Sequence, residues 1–412
     1  MSSSSPPISL EGTTLEGGGQ LLRLALSLSS LTSKPVTITN IRGRRHGGGG
    51  LKSQHLTCVQ WLSQTCNALI SGASLKSKDI TFIPELTRPM HDKISGKEVH
   101  INQTTPGSVN LVFQAILPYI LFSGSSEPVQ LSITGGTNVS NSPSVDYITQ
   151  VLLPSLHLIG IPTITSTLHS RGWSQGSTTL GTITYTITPL ASPLPAFHLT
   201  NRANITSITA TIIAPKHTEQ HFRDELDIMF TKREARFFSP TISAATATTP
   251  PPPEINVTFE DSHHDKRYYI LFVATSSTGT KLGRDWLYDL PIRPGKTEKI
   301  VPAMVKKVSD DLLVEIEHGG CVDEYLRDQL VVFQALAEGR SRVCGGEKGG
   351  VGVQMSLHAK TALWVAGKIL AVAFDEDGAC EGVGFRPGGA LGLDGSKKGL
   401  VKQLEQLELS LN

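Results

Sequence analysis

The stretch Gly319-Gly320-Cys321-Val322-Asp323-Glu324-Tyr325-Leu326-Arg327-Asp328-Gln329-Leu330 constrains this chain more than any other. Apolar residues recur at Leu326, Leu330 and Phe333, then at Leu336-Ala337, which predicts a helix opened by a glycine turn. Asp323 and Glu324 fall beside its positive N-terminal end, where carboxylates are favourable. The other face is polar. Tyr325, Asp328 and Gln329 stand at i, i+3 and i+4, so a phenol, a carboxylate and an amide project side by side toward one ligand.

A second stretch, Ser356-Leu357-His358-Ala359-Lys360-Thr361, follows a Val/Met segment over 351–355. It precedes Ala362, Leu363, Ala366, Ile369 and Leu370 at helical spacing, so His358 sits where a strand hands over to a helix. Backbone amides and the helix dipole there favour an anion and disfavour an imidazolium, which leaves a neutral ring nitrogen able to attack a bound phosphate. Taken by itself, a histidine satisfied by ordinary hydrogen bonds fits the same pattern.

Near the other end, 8–14 reads as a strand, 20–32 as a helix through Leu21, Leu22, Leu24, Leu26 and Leu28, and 36–41 as a second strand. Glycines 17–19 leave amides open at the helix start, where a phosphate could bind or where the chain could simply turn. No Gly-Lys-Ser/Thr follows, so this is not a P-loop. Carried back through the turn, the helix register puts Glu16, Gln20 and Arg23 on one face, an acid and a guanidinium in one site unless the three are a surface scatter. Arg42, Arg44, Arg45 and His46 then run into four glycines, with Lys52, Gln54 and His55 beyond. This basic loop leads to a helix expected to be capped by Ser53, with Leu56, Val59 and Leu62 on its apolar face. Arginines can grip phosphate bidentately, although a solvated basic loop has the same composition.

A chain of 412 residues with 39% apolar content can bury a large core in two or three domains. A net charge of +1 gives no global case for nucleic acid, so any RNA contact must come from a local patch. The five cysteines are scattered and never form a C-x-x-C pair, which argues against a disulfide framework, a disulfide-linked partner or a zinc site. Reduced thiols fit a nuclear (nucleoplasmic or nucleolar) or cytoplasmic location, and the polar first residues do not read as a signal peptide. The longest apolar run, 111–122, holds Gln114 and Pro118 and is too short to span a bilayer. It is expected in the core, and no membrane association is expected.

Residues 195–285 read as a smaller inserted α/β domain. It has a strand over 205–213, a helix over 217–238, a flexible Thr/Pro-rich loop over 239–253 and strands over 254–259 and 268–274. His263-His264-Asp265 reads as a solvated hairpin tip rather than a metal site. Helices are expected over 297–317 and about 397–409.

The run from Cys321 to Ala337, with Leu357-His358 and Thr361-Ala362, resembles the C-terminal signature of the RNA 3'-terminal phosphate cyclases. Leu15-Glu16-Gly17-Gly18-Gly19-Gln20-Leu21-Leu22-Arg23 is similar to their opening motif, and Gly135-Gly136-Thr137-Asn138 to a further turn. The resemblance implies an α+β fold (an α/β sandwich): a large domain over 1–194 and 286–412, built of three βαβαββ-type repeats like the C-terminal domain of translation initiation factor three, with the 195–285 domain inserted. It implies an ATP-dependent enzyme that turns an RNA 3'-phosphate end into a 2',3'-cyclic phosphodiester through a histidine-AMP intermediate on His358. It implies that Gln114, Pro143, Tyr325, Asp328 and Gln329 hold ATP. Glu16, Arg23, Arg42, Arg45, Lys52, Gln54 and His55 would face phosphate and RNA, and a divalent ion (Mg or Mn) would accompany the triphosphate. The segments 43–53, 174–181 and 284–290 depart from the family pattern. They keep a rival reading open, a catalytically impaired cyclase-like RNA-binding protein of ribosome assembly or RNA processing.

Overall fold

The first half of the chain runs through one order of elements twice. Strand β1 (Ile8–Glu11) is followed by α1 (Gly19–Thr32), β2 (Val36–Thr39), α2 (Ser53–Cys66), β3 (Leu69–Ser71) and β4 (Ile80–Ile83). The sheet order is β1-β2-β4-β3, with β2 parallel to β1 and antiparallel to β4. Then β5 (Glu98–Asn102), α3 (Val109–Leu121), β6 (Val129–Gly135), a helical segment, β7 (Thr165–Ser170) and β8 (Gly181–Ile187) give the order β5-β6-β8-β7 with the same strand directions. That helical segment is α4 (Val145–Tyr147), a π-helical turn (Ile148–Leu152) and α5 (Leu153–Leu158). These relations come from a computed structural model that describes residues 6–45, 48–85, 94, 96, 98–238, 253–292 and 297–389. His46, the loop over 239–252 and the helix expected over 397–409 lie outside the described residues.

A third sheet opens with β9 (His198–Leu199) and is then interrupted. The intervening chain is β10 (Ile205–Ala214), α6 (Glu219–Phe237), β11 (Glu254–Asp261), β12 (Tyr269–Ser276), β13 (Lys281–Leu287) and α7 (Ile300–Glu317). Its sheet order is β11-β10-β12-β13. Because β10 lies between β11 and β12, the 262–265 turn is a crossover and not the hairpin tip expected from sequence. The chain then returns with α8 (Glu324–Leu336), β14 (Glu338–Val343), a two-residue pair β15 (Glu347–Lys348) and β16 (Val351–Gly352), α9 (Leu357–Leu370) and β17 (Ala379–Val383). Strand β14 pairs parallel with β9 and antiparallel with β17.

Two apolar cores hold these units. The larger joins residues of the three sheets that flank the insert, with α1, α2, α3, α8 and α9. The smaller holds the inside of β10, β12 and α6 together with Ile300, Met304, Val308, Leu312 and Ile316 of α7. The core of the inserted unit therefore continues past residue 285, where the sequence reading ended it. The apolar stripe of α7 covers the inserted sheet rather than the large domain.

Helix α1 is the centre of the larger core, packed on α2, α3 and α9. Two of its buried hydroxyls are satisfied along the helix, Ser30 donating to the Leu26 carbonyl at 2.8 Å and Thr32 to the Leu28 carbonyl at 2.7 Å. The units also meet at one carboxylate. Asp323 caps α8 by accepting from the Tyr325 and Leu326 amides at 2.9 and 2.8 Å. It also accepts the Tyr147 hydroxyl at 2.7 Å and the Gly283 amide at 2.8 Å, from the second sheet's helix and from the insert. Asp323→Ala removes a cap and orphans two more buried donors, so a loss of about 3 kcal/mol is expected in urea unfolding. The loss should be much smaller in Asp323→Asn, whose oxygen can keep the cap.

Candidate active site

The beginnings of α1, α8 and α9 come together. The Glu16 amide donates to Thr361 Oγ1 at 3.2 Å, which ties the glycine turn to α9. Ser356 caps α9 by accepting from the Ala359 amide at 3.1 Å, and His358 is the second residue of that helix. His358 is exposed as a residue, but its ring makes a part-buried contact, with Nδ1 2.5 Å from Gln20 Oε1. Gln20 Nε2 donates to Asp328 Oδ2 at 2.7 Å, and Gln329 Nε2 donates to Asp328 Oδ1 at 2.7 Å.

This chain of contacts fixes the imidazole tautomer. An ionised carboxylate only accepts, so Asp328 takes the amide N–H₂ of Gln20 and turns its oxygen toward the ring. That oxygen can only be matched by N–H on Nδ1, so Nε2 keeps its lone pair. Burial pushes the His358 pKa down. The carboxylate of Asp328 opposes that shift, and the cations Arg23 and Arg45 reinforce it. Burial pushes Asp328 up, against the donors Gln329 and Gln20. At neutral pH the pair is a neutral ring beside a carboxylate.

The glycine turn is small because side chains fold over it. A Cβ on Gly18 would lie 2.0 Å from Glu16 Oε1. One on Gly19 would lie 2.5 Å from His55 Nε2 and 2.7 Å from Arg23 Nη1. Arg23 and His55 thus approach the start of α1, and burial holds the Arg23 pKa below its ordinary value. Residue 53 is not the cap of α2. Lys52 stands at the cap position, and its amide donates to His55 Nδ1 at 3.1 Å. Neutral His55 therefore carries its proton on Nε2, the atom nearest Gly19.

Burial, then Arg23, Arg42 and Lys52, push His55 down to about 3. An unfolded histidine takes its proton near pH 6.5, whereas folded His55 stays neutral to about 3. The folded state therefore binds fewer protons in that window, and stability falls as pH drops through it. Stability of the wild type minus that of His55→Gln should lose about 1.4 kcal/mol per pH unit between pH 6 and 4. Urea titrations at four pH values measure this difference. Any pH dependence from the raised carboxyls is common to both proteins and cancels.

Glu16 pairs with Arg45 through Oε1, while Oε2 is buried without a hydrogen-bond partner. Gln114 Nε2 is buried and unpartnered in the same way. Among the described residues no group of three or more His, Cys, Asp or Glu side chains could hold a metal by itself. One unsatisfied carboxylate oxygen does suit a divalent ion that takes most of its oxygens from phosphate and water.

Tyr325, three residues before Asp328 on α8, belongs to a second group of side chains. Tyr325 is 46% exposed, and its ring stands edge-on to Tyr147 with centroids 6.1 Å apart. Arg284 lies over the same ring at 4.5 Å and pairs with Glu315 and Glu324. Pro143 is half-buried at the loop leading into α4. Its carbonyl accepts from Asn110 on α3 at 2.8 Å, one turn before Gln114. Gln54 turns to α3, accepting the Ser108 amide at 3.2 Å, so it docks α2 rather than opening toward His358. Sequence reasoning put Gln20 on the right face but gave it no role. It missed Arg284, whose partner depends on the register of β13.

Among the described residues no helix is long and apolar enough to cross a membrane, and none of the five cysteines forms a disulfide. A family profile described as RNA 3'-terminal phosphate cyclase matches residues 14–375. A Pyrococcus abyssi protein named RNA 3'-terminal phosphate cyclase is 30% identical over 373 residues, covering 90% of this chain and 95% of its own. One of that name from Thermococcus kodakarensis is 31% identical over 374 residues, with 90% and 95% covered. A Dictyostelium discoideum protein named probable RNA 3'-terminal phosphate cyclase is 28% identical over 374 residues, covering 90% of this chain and 78% of its own.

Proposed function

The chain belongs to the RNA 3'-terminal phosphate cyclase family, and on that premise we propose that it uses ATP to close an RNA 3'-phosphate end into a 2',3'-cyclic phosphodiester. The observation that carries the reading is the free Nε2 lone pair of His358, set by the Gln20 and Asp328 hydrogen bonds. His358 Nε2 forms a bond to the α-phosphorus of ATP as the bond to pyrophosphate breaks. An oxygen of the RNA 3'-phosphate then attacks the adenylyl phosphorus, and the N–P electron pair returns to Nε2. The 2'-hydroxyl, losing its proton, attacks the activated 3'-phosphorus and expels AMP.

Each residue group has its part. The exposed Tyr325 ring, half-buried Pro143 and the unpartnered Gln114 amide suit the nucleoside. Arg23 and Arg45, both close enough to lower the His358 pKa, would offset charge building on the phosphates. A neutral His55 supplies an N–H donor on the same side of Gly19. Glu16 Oε2 would hold a divalent ion, which supplies charge neutralisation for the triphosphate when bound. We also infer that the three sheets flanking the insert are three copies of one βαβαββ unit, like the C-terminal domain of translation initiation factor three.

Wild-type protein given α-labelled ATP and a divalent ion is expected to take up acid-labile label. With an RNA ending in 3'-phosphate, it should render that end resistant to phosphatase. A rival that only binds RNA does neither, so well-folded protein that stays unlabelled would falsify the adenylation step.

A further inference from the structure

Beside the basic loop lies a cleft of about 550 Å³. Arg42, Gly48, Lys52, Lys76 and Thr105 line it, with the exposed Leu75 beside them. The volume is that of a ligand site. Its cations are aimed by the backbone. Arg42 and Lys76 are non-glycine residues in the left-handed region, at φ 56 and 65, and Gly48 and Gly50 are at φ 95 and 85. The loop bearing Lys76 is docked on the glycine strip, with the Lys76 amide donating to the Leu51 carbonyl and the Leu51 amide to the Ser77 carbonyl, both at 2.9 Å.

Among the described residues, no carboxylate pairs with Arg42, Lys52 or Lys76; Arg42 donates only to the Gly50 carbonyl, at 3.4 Å. Arg42 first, then burial and Arg45, push the Lys52 pKa down, so the cations crowd one another. Like charges held together in a concave site, on backbone that resists relaxing, suit an anion that is not part of the chain. Arg45 pairs with Glu16, whose amide donates to Thr361 of the helix that carries His358, which brings the basic loop up to the histidine's helix.

We propose that this cleft holds the phosphodiester backbone of the RNA nucleotides preceding the reacting 3'-phosphate, with Lys76 as its outer phosphate contact. The proposal rests on the cyclase reading, because it needs the RNA end to lie beside His358. Arg42 can fork onto one phosphate, and Lys52 and Lys76 act as point charges on its neighbours. Leu75 offers an apolar surface to a base face. Contacts of this kind read backbone and not sequence, so affinity should not depend on the bases.

The test is binding of the full chain, without ATP, to a labelled ten-nucleotide RNA bearing a 3'-phosphate, read by fluorescence anisotropy across a salt series. Lys76→Gly keeps the left-handed backbone comfortable and removes the charge, and Lys76→Glu reverses it. Lys76→Gly should weaken binding about fivefold and Lys76→Glu more than about tenfold. Loss of one contact should flatten the log–log salt dependence by about 0.7. Neither change should matter for a 3'-phosphorylated mononucleotide, which does not reach Lys76. Wild-type affinity for the ten-mer in both variants overturns the proposal, as does loss in Lys76→Glu alone or an equal loss for the mononucleotide. Labelling by ATP in the same preparations is a separate readout. Unlabelled protein whose RNA affinity still depends on Lys76 overturns the cyclase reading and keeps the cleft.

Discussion

Replacing His358 by alanine should abolish nucleotidyl labelling, a fall on the order of 10⁵ or more, while leaving the fold in place. His55 cannot stand in. The His55 ring, which also approaches the start of α1, spends Nδ1 on the Lys52 amide and carries a proton on Nε2. Its lone pair is therefore already used, whereas that of His358 is free. His358 is exposed as a residue and belongs to neither apolar core, so stability should shift by no more than a surface substitution does, about 0.5 kcal/mol. Acid-labile label and calorimetry on the same sample check both halves. The pH profile of the wild type follows from the same ring. The neutral form is the reactive one, and burial with Arg23 and Arg45 keeps its pKa below the ordinary histidine value. Labelling should hold steady across neutral pH and decline only below about 6.5. A decline that begins above 7 would contradict that environment.

The second large effect is expected at Gln20, a positioning residue that touches the ring and not the nucleotide. Gln20→Leu removes the acceptor that keeps the proton on Nδ1, so the ring can place it on Nε2 and lose its nucleophile. Elsewhere, a wrong histidine tautomer costs on the order of 10⁴ in turnover, and 10² to 10⁴ is expected here. ATP affinity should change only a few-fold, so the loss appears in the rate and not in the binding constant. Gln20→Glu distinguishes positioning from mere packing. A protonated carboxyl between His358 and Asp328 reproduces the donor and acceptor order of the amide, so part of the rate should return, and more of it toward acidic pH. Equal rates for the leucine and glutamate variants at every pH would leave Gln20 with a packing role only.

Much of this arrangement is legible in the bare chain, for reasons that differ by region. Helices α1, α8 and α9 announce themselves because each buries a continuous apolar stripe, and the polar face of α8 could be read from three positions. The strand ends were overrun. The first two strands stop at Glu11 and Thr39, because Gly12 turns back to the Thr39 carbonyl and Asn40 enters the left-handed region. The apolar face of α7 was visible, but not the sheet it covers, since periodicity says which side is buried and never against what. Ser53 is not the cap of α2 because the His55 imidazole, three residues into the turn, accepts the Lys52 amide in the way the Glu or Gln of a capping box does. Lys76 carried no signal at all. It matters only because the loop after β3 docks against residues 50–51, a contact between segments that local pattern cannot join.

The pairing of β9 with β14 sets an order of events during synthesis. The two residues of β9 leave the ribosome with no partner, and the whole insert must follow before Arg342 and Val343 arrive to lie beside them. The first two sheets have every strand they need by residue 187, so they can fold while the remainder is still being translated. His358 lies later still, in the helix after β14. A nascent chain can therefore carry most of its architecture and no nucleophile, and its chemistry begins only once the last unit has closed.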